Sequence, residues 1–151
     1  MSNEYLLGLL TALATGIAFA FISLFEGTLG KALGAVNATI LEHLFSGGIS
    51  LLLLLALAKS ASPSPEMTRE YLPLAALLGL LVFVAVTGIA FAFPRIGLAT
   101  GTFVLVFGQI TTAAALDAVG FGGYERIPIT LPRLVGIGLM AAGVYFVLPK
   151  Q

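Results

Sequence analysis

The chain has 151 residues, 59% of them hydrophobic and 9% charged, with a formal net charge of +0 and no cysteine. A soluble domain carries about 25% charged residues, so this chain has too few to coat a water-facing surface, and its mean hydropathy of +1.09 agrees. No excess of Lys and Arg suggests nucleic acid, and the lack of cysteine excludes disulfides and thiolate metal sites.

The start, Met1-Ser2-Asn3-Glu4, has no positively charged n-region, so the first apolar stretch is expected to persist as a helix rather than be cleaved. A bilayer core about 30 Å thick needs roughly 20 apolar helical residues. Tyr5 to Phe25 is the first such run, and it contains no charge. Glu26 and Lys31 then bracket a predicted connector rich in glycine, with Gly27, Gly30 and Gly34. The second run ends at Ala58 and begins between Ala35 and Leu41. Ser60 to Met67 is a Ser/Pro-rich loop in which Ser64, Pro65 and Glu66 provide an N-cap, a first-turn proline and a first-turn acid. The third helix therefore starts in water, enters the membrane near Tyr71 and runs to Phe93. Pro94-Arg95 is predicted to be a sharp break with a snorkelling arginine. The fourth run is Ile96 to Ala118. The fifth is Leu134 to Leu148, introduced by Pro132-Arg133.

Backbone groups in lipid must be satisfied internally, and the short alternating strands of a β-barrel are not visible. The predicted fold is all-α and integral to the membrane: one domain over 1–151, with five transmembrane helices at about 5–25, 36–58, 66–93, 96–118 and 132–148. Small residues recur every fourth position at Gly8, Ala12, Gly16 and Ala20, at Gly97 and Gly101, and at Gly138 and Ala142. Such stripes serve packing within a bundle or a dimer seam. With five spans, Lys59, Arg69, Arg126 and Arg133 fall on one side, and Lys31, Arg95 and Lys150 on the other. This split barely decides orientation. It predicts dual topology, with oppositely inserted copies pairing as an antiparallel dimer; the other reading is one orientation fixed by a partner chain.

Ionisable groups in lipid cost roughly 2.5–3.5 kcal/mol on insertion scales and are functional hypotheses by default. Glu42 has two readings. Thr39-Ile40-Leu41-Glu42 fits a capping box at the head of helix 2. If that helix starts near Ala35 instead, Glu42 lies about two turns in, faces a cavity, and could lose and regain a proton as substrate binds. His43, the single histidine, lies about 100° round the helix from Glu42. Both can line a cavity but are not expected to bond each other, and a lone histidine often does nothing but pack. Glu26 either faces the pathway or pairs with Lys31 in a solvated turn. Gln109 is the deepest polar residue; with Thr102 and Thr112 it forms a row on helix 4 that glues helices or contacts a substrate. Asp117 is expected at the interface, paired with Arg126 or Arg133. Ser46 is a secondary candidate. No pairing of Ser with His, no paired Asp and no zinc motif supports an intramembrane enzyme. No metal site or cofactor is expected.

Several motifs run in order through the second half: Ala92-Phe93-Pro94-Arg95-Ile96-Gly97, Phe107-Gly108-Gln109-Ile110, Leu116-Asp117-Ala118-Val119-Gly120-Phe121-Gly122-Gly123, Pro132-Arg133-Leu134-Val135-Gly136 and Ala142-Gly143-Val144. Together they resemble the YdcZ-like family of the drug/metabolite transporter superfamily. The likeness is good over roughly 70–148, and looser in the first half through Leu29-Gly30-Lys31-Ala32-Leu33-Gly34. The resemblance implies five transmembrane helices, antiparallel homodimers or pairs of oppositely oriented homologous chains, and export or exchange of small molecules across the inner membrane. It places Gln109 and Asp117 on family positions. It also marks departures: Glu26 stands where the family has Asn, Glu42 and His43 replace small or hydroxyl residues, and Ala118 replaces His. The added acids fit a cationic substrate or proton coupling. The expected partners are thus lipid, a second copy or a homologous chain, and a small molecule. The competing expectation is a membrane assembly subunit that transports nothing.

Overall fold

A computed structural model describes residues 3–61, 65–121 and 125–148. The predicted Ser64 N-cap, Gly122-Gly123 of the motif and Lys150 lie outside the described residues. Within them the chain is all-α, with α1 Asn3–Leu33, α2 Ala35–Ala61, α3 Pro65–Ile96, α4 Leu98–Val119 and α5 Leu131–Val147. Four of these hold stretches long and apolar enough to cross a bilayer: Leu6–Leu33, Ala35–Leu57, Arg69–Ile96 and Leu98–Val119. The fifth is apolar but has 17 residues, which gives it a length of about 25 Å. No more than 11% of any of the four apolar windows is buried. A leucine-rich surface of that extent is tolerated in lipid and not in water.

Helix limits differ from the sequence expectation at two places. The predicted connector after Phe25 is helical, because α1 continues through Glu26, Gly27 and Gly30 to Leu33. In lipid, continuing the helix keeps every backbone amide bonded. The second difference is at Pro94-Arg95, which does not break the chain: α3 passes through both and ends at Ile96. The breaks fall instead at Gly34 (φ +81°) and Gly97 (φ +85°). Gly34 accepts the first bond of α2 from Ala38 at 3.0 Å while donating to Gly30 at 3.1 Å. A side chain in that left-handed conformation would cost about 1–2 kcal/mol, which is why a single glycine can join two long helices here.

The chain forms two compact units, Met1–Pro94 and Arg95–Gln151. In the first, α3 seats on α1 where α1 has no side chain to obstruct it. A Cβ at Gly30 would come within 2.2 Å of the Ala90 carbonyl oxygen, and one at Gly27 within 3.6 Å of Phe93 Cβ. The glycines predicted to loosen a connector are in fact the contact surface of a helix pair, as small residues often are in membranes. On the α2 side, the Thr87 hydroxyl lies 3.1 Å from that of Thr39. Ala38, Thr39, Ile89, Ala90 and Phe93 are among the buried residues of this unit.

In the second unit, α4 and α5 lie antiparallel. The Thr100 hydroxyl near the start of α4 donates to the Val147 carbonyl at the end of α5, at 3.2 Å. That bond satisfies one of the carbonyls a helix end leaves without a partner. At the opposite end, Arg133 of α5 forms an ion pair with Asp117 of α4. α4 stops at Gly120, whose amide bonds the Asp117 carbonyl at 3.2 Å.

Candidate functional site

The start of α2 decides between the two readings of Glu42. Thr39 is fully buried, and its hydroxyl donates to the Ala35 carbonyl one turn back at 3.0 Å. It is therefore an interior residue rather than an N-cap, and Glu42 stands about two turns into the helix. Glu26 lies eight residues before Gly34 and Glu42 eight after it. At about 1.5 Å per residue, each is about 12 Å from the hinge along its own helix. Two carboxylates thus occupy matching levels of adjoining helices.

An open-sided groove of about 510 Å³ lies between those helices. α1 contributes Phe25, Glu26 and Leu29, and α2 contributes Glu42, Phe45 and Ser46. Glu26 is 3% exposed, and its Oε2 has no hydrogen-bond partner among the described residues. The expected solvated pairing with Lys31 is absent: Lys31 is exposed, and no ion pair joins the two among the described residues.

His43 stands closer to its neighbour than the helix angle suggested, although no hydrogen bond joins them. Its Nδ1 is 2.5 Å from Glu42 Oε2. Nδ1 also lies 3.0 Å from the Thr39 carbonyl oxygen. Two acceptors facing one ring nitrogen place the proton there, with Nδ1–H aimed at the carbonyl. The contact with Glu42 is close but poorly aligned, so Glu42 Oε2 also remains without a hydrogen bond. The other face of the ring region meets Phe83 edge-on at 5.5 Å between centroids. Ser46 lines the groove, but its hydroxyl donates to the His43 carbonyl at 3.3 Å.

The structure therefore brings Glu26, Glu42, His43 and Ser46 together in the first unit. Gln109, Thr102, Thr112 and Asp117 belong to the second. Gln109 is exposed midway along α4, and Thr112 is exposed one turn away. Thr102 borders a small cavity with Phe103, Val106 and Met140, its hydroxyl bonded to the Leu98 carbonyl at 2.8 Å. Asp117 pairs with Arg133, whereas Arg126 donates from Nε to the Ala118 carbonyl at 2.8 Å. Two hydroxyls escaped the sequence reading: Ser23, which is 2% exposed and lies one turn before Glu26, and Thr87, which joins α3 to Thr39 of α2. The signal for Ser23 was its i−3 spacing to Glu26.

Long apolar helices with almost no buried core, and carboxylates held among them, define a multi-pass membrane protein. Residues 7–146 match the family model described as "Putative inner membrane exporter, YdcZ". The chain belongs to that family, as its motifs suggested, and resides in the inner membrane. The family is one of exporters rather than enzymes. No curated protein and no solved structure matches the chain.

Proposed function

We propose that this chain exports or exchanges small molecules across the inner membrane, loading them at the α1–α2 groove while protons are taken up and released at Glu26 and Glu42. The observation that carries this reading is Glu26: a carboxyl group inside an apolar helix, 3% exposed, with an oxygen lacking any hydrogen-bond partner among the described residues. A charge in such a place is costly unless a proton or a bound group compensates it. Glu42, at the matching level of α2, can share the task. Substrate arrival expels the proton and substrate departure readmits it, so the two occupy the groove in turn.

The same proposal makes the working unit an antiparallel homodimer of copies that each cross the membrane five times. The near-even split of Lys and Arg supports dual insertion. A stripe of small residues on α1 also supports it, because a Cβ at Gly8 or Gly16 would meet nothing within 4 Å. Two inverted copies would supply the symmetry that alternating access commonly uses.

The test is reconstitution into liposomes carrying a trapped pH indicator, under an imposed pH gradient, against a panel of amines, acids, sugars and neutral aromatics. At least one class is expected to move protons faster than in protein-free liposomes, and Glu26→Gln is expected to abolish the movement at equal incorporation. No stimulated flux from any class, or full flux in Glu26→Gln, would overturn the reading.

A further inference from the structure

We infer that the α1–α2 groove binds a protonated lipophilic amine, with Glu26 as its counter-ion. This rests on the exporter reading above and names the substrate class that the same site selects.

Charge excludes most alternatives. Two carboxylates line the groove and no Lys or Arg does. An anion would be repelled, and a neutral solute would gain no charge attraction from the carboxylates. The remaining lining is hydrocarbon, including Phe25, Leu29, Phe45 and Ile49. It suits an apolar body, and aromatic rings in the lining are compatible with a cation. A polyhydroxylated solute finds little there, because the one hydroxyl, that of Ser46, is already bonded to the His43 carbonyl. The volume of about 510 Å³ lies within the usual range for drug-sized ligands.

The carboxylate oxygens narrow the class further. Glu26 Oε2 is buried and lacks a hydrogen-bond partner among the described residues, whereas Glu42 Oε2 already has the His43 ring nitrogen beside it. Charge alone does not satisfy the Glu26 oxygen; an N–H donor does. A primary or secondary ammonium brings both charge and donors. A quaternary ammonium brings only charge. The site is thus built to prefer amines over their permethylated analogues.

Three probes sharing one phenylbutyl body separate these terms: 4-phenylbutylamine, its N,N,N-trimethyl analogue and 4-phenylbutan-1-ol. Binding to the purified full-length protein in detergent is measured by titration calorimetry. The amine is expected to bind, the trimethyl analogue about tenfold more weakly, and the alcohol about tenfold to hundredfold more weakly than the amine. Glu26→Gln is expected to remove the preference for the amine over the alcohol. Should that variant fail to fold, Ile49→Trp, which crowds the groove and keeps both carboxylates, is expected to weaken all three probes. Equal binding of amine and alcohol would overturn the inference. So would a trimethyl analogue that binds as well as the amine, or an Ile49→Trp variant that binds the amine normally. No amine binding, alongside Glu26-dependent flux of another compound class in liposomes, would overturn the amine preference and leave the exporter reading standing.

Discussion

Gly30→Ala should destabilise the first unit more than its single methyl group suggests. The added Cβ would lie 2.2 Å from the Ala90 carbonyl oxygen, 2.9 Å from its carbonyl carbon and 3.1 Å from its Cα. All three are backbone atoms, so no side chain can swing aside, and α3 must retreat by about 1 Å to restore ordinary contact. Overpacking of this kind costs about 1–3 kcal/mol. The gain in helix propensity from Gly to Ala offsets at most about 1 kcal/mol. With that full offset the two terms sum to a net loss of about 0–2 kcal/mol, whereas the same substitution without a clash would be neutral or stabilising. The assay is reversible unfolding in mixed micelles, titrated with a denaturing detergent and followed by circular dichroism. Gly79→Ala is the control, because a Cβ there meets nothing within 4 Å. Equal midpoints for the two variants would refute the packing of α1 on α3 through Gly30.

Thr87→Val removes the hydroxyl contact to Thr39 and should cost about 0.6 kcal/mol, the average for bonds between membrane helices, in the same unfolding assay. Arg133→Gln should destabilise by about 1–3 kcal/mol through the half-buried Asp117 it leaves behind. Adding Asp117→Asn should recover part of that loss; a double variant as unstable as the sum of the single variants would contradict the pairing. For dual insertion, Glu125→Cys and Leu148→Cys lie on opposite sides of a five-span chain that has no other cysteine. An impermeant maleimide applied to intact cells should label about half of each, and complete labelling of one with none of the other would contradict dual topology.

The helices themselves were legible in the sequence because lipid imposes one requirement, a long run of apolar residues whose backbone bonds to itself. Their limits were less so. Gly27, Gly30 and Pro94 read as breakers by the rules of soluble helices, yet each lies within a helix and contributes to the α1–α3 contact. The true breaks, at Gly34 and Gly97, differ from the glycines inside the helices in backbone conformation, which composition does not reveal. Glu26, Glu42 and His43 stood out as ionisable groups in apolar surroundings. That the two acids share one groove depends on the hinge at Gly34, which sets them at equal distances along α1 and α2. The Thr39–Thr87 contact was hidden for a different reason. Hydroxyls in these helices generally bond the carbonyl one turn back, as Thr11, Thr15 and Thr28 do, so nothing in the sequence singles out the pair that also reaches a neighbouring helix. Thr39-x-x-Glu42 left two readings open for the opposite reason, a capping pattern that occurs about one and a half turns past where a cap would be needed.

The measurement that bears most directly on the account places one cysteine in the groove itself. Ile49→Cys lines the groove, whereas Leu53→Cys lies one turn further along α2 and outside it. Each variant is reconstituted, treated with N-ethylmaleimide and assayed for proton-linked flux of a compound the wild type moves. If the groove is the path, modification at position 49 stops flux with both carboxylates intact, a saturating substrate slows that modification, and modification at position 53 does neither. Undiminished flux after complete modification at position 49 would show that the path lies elsewhere.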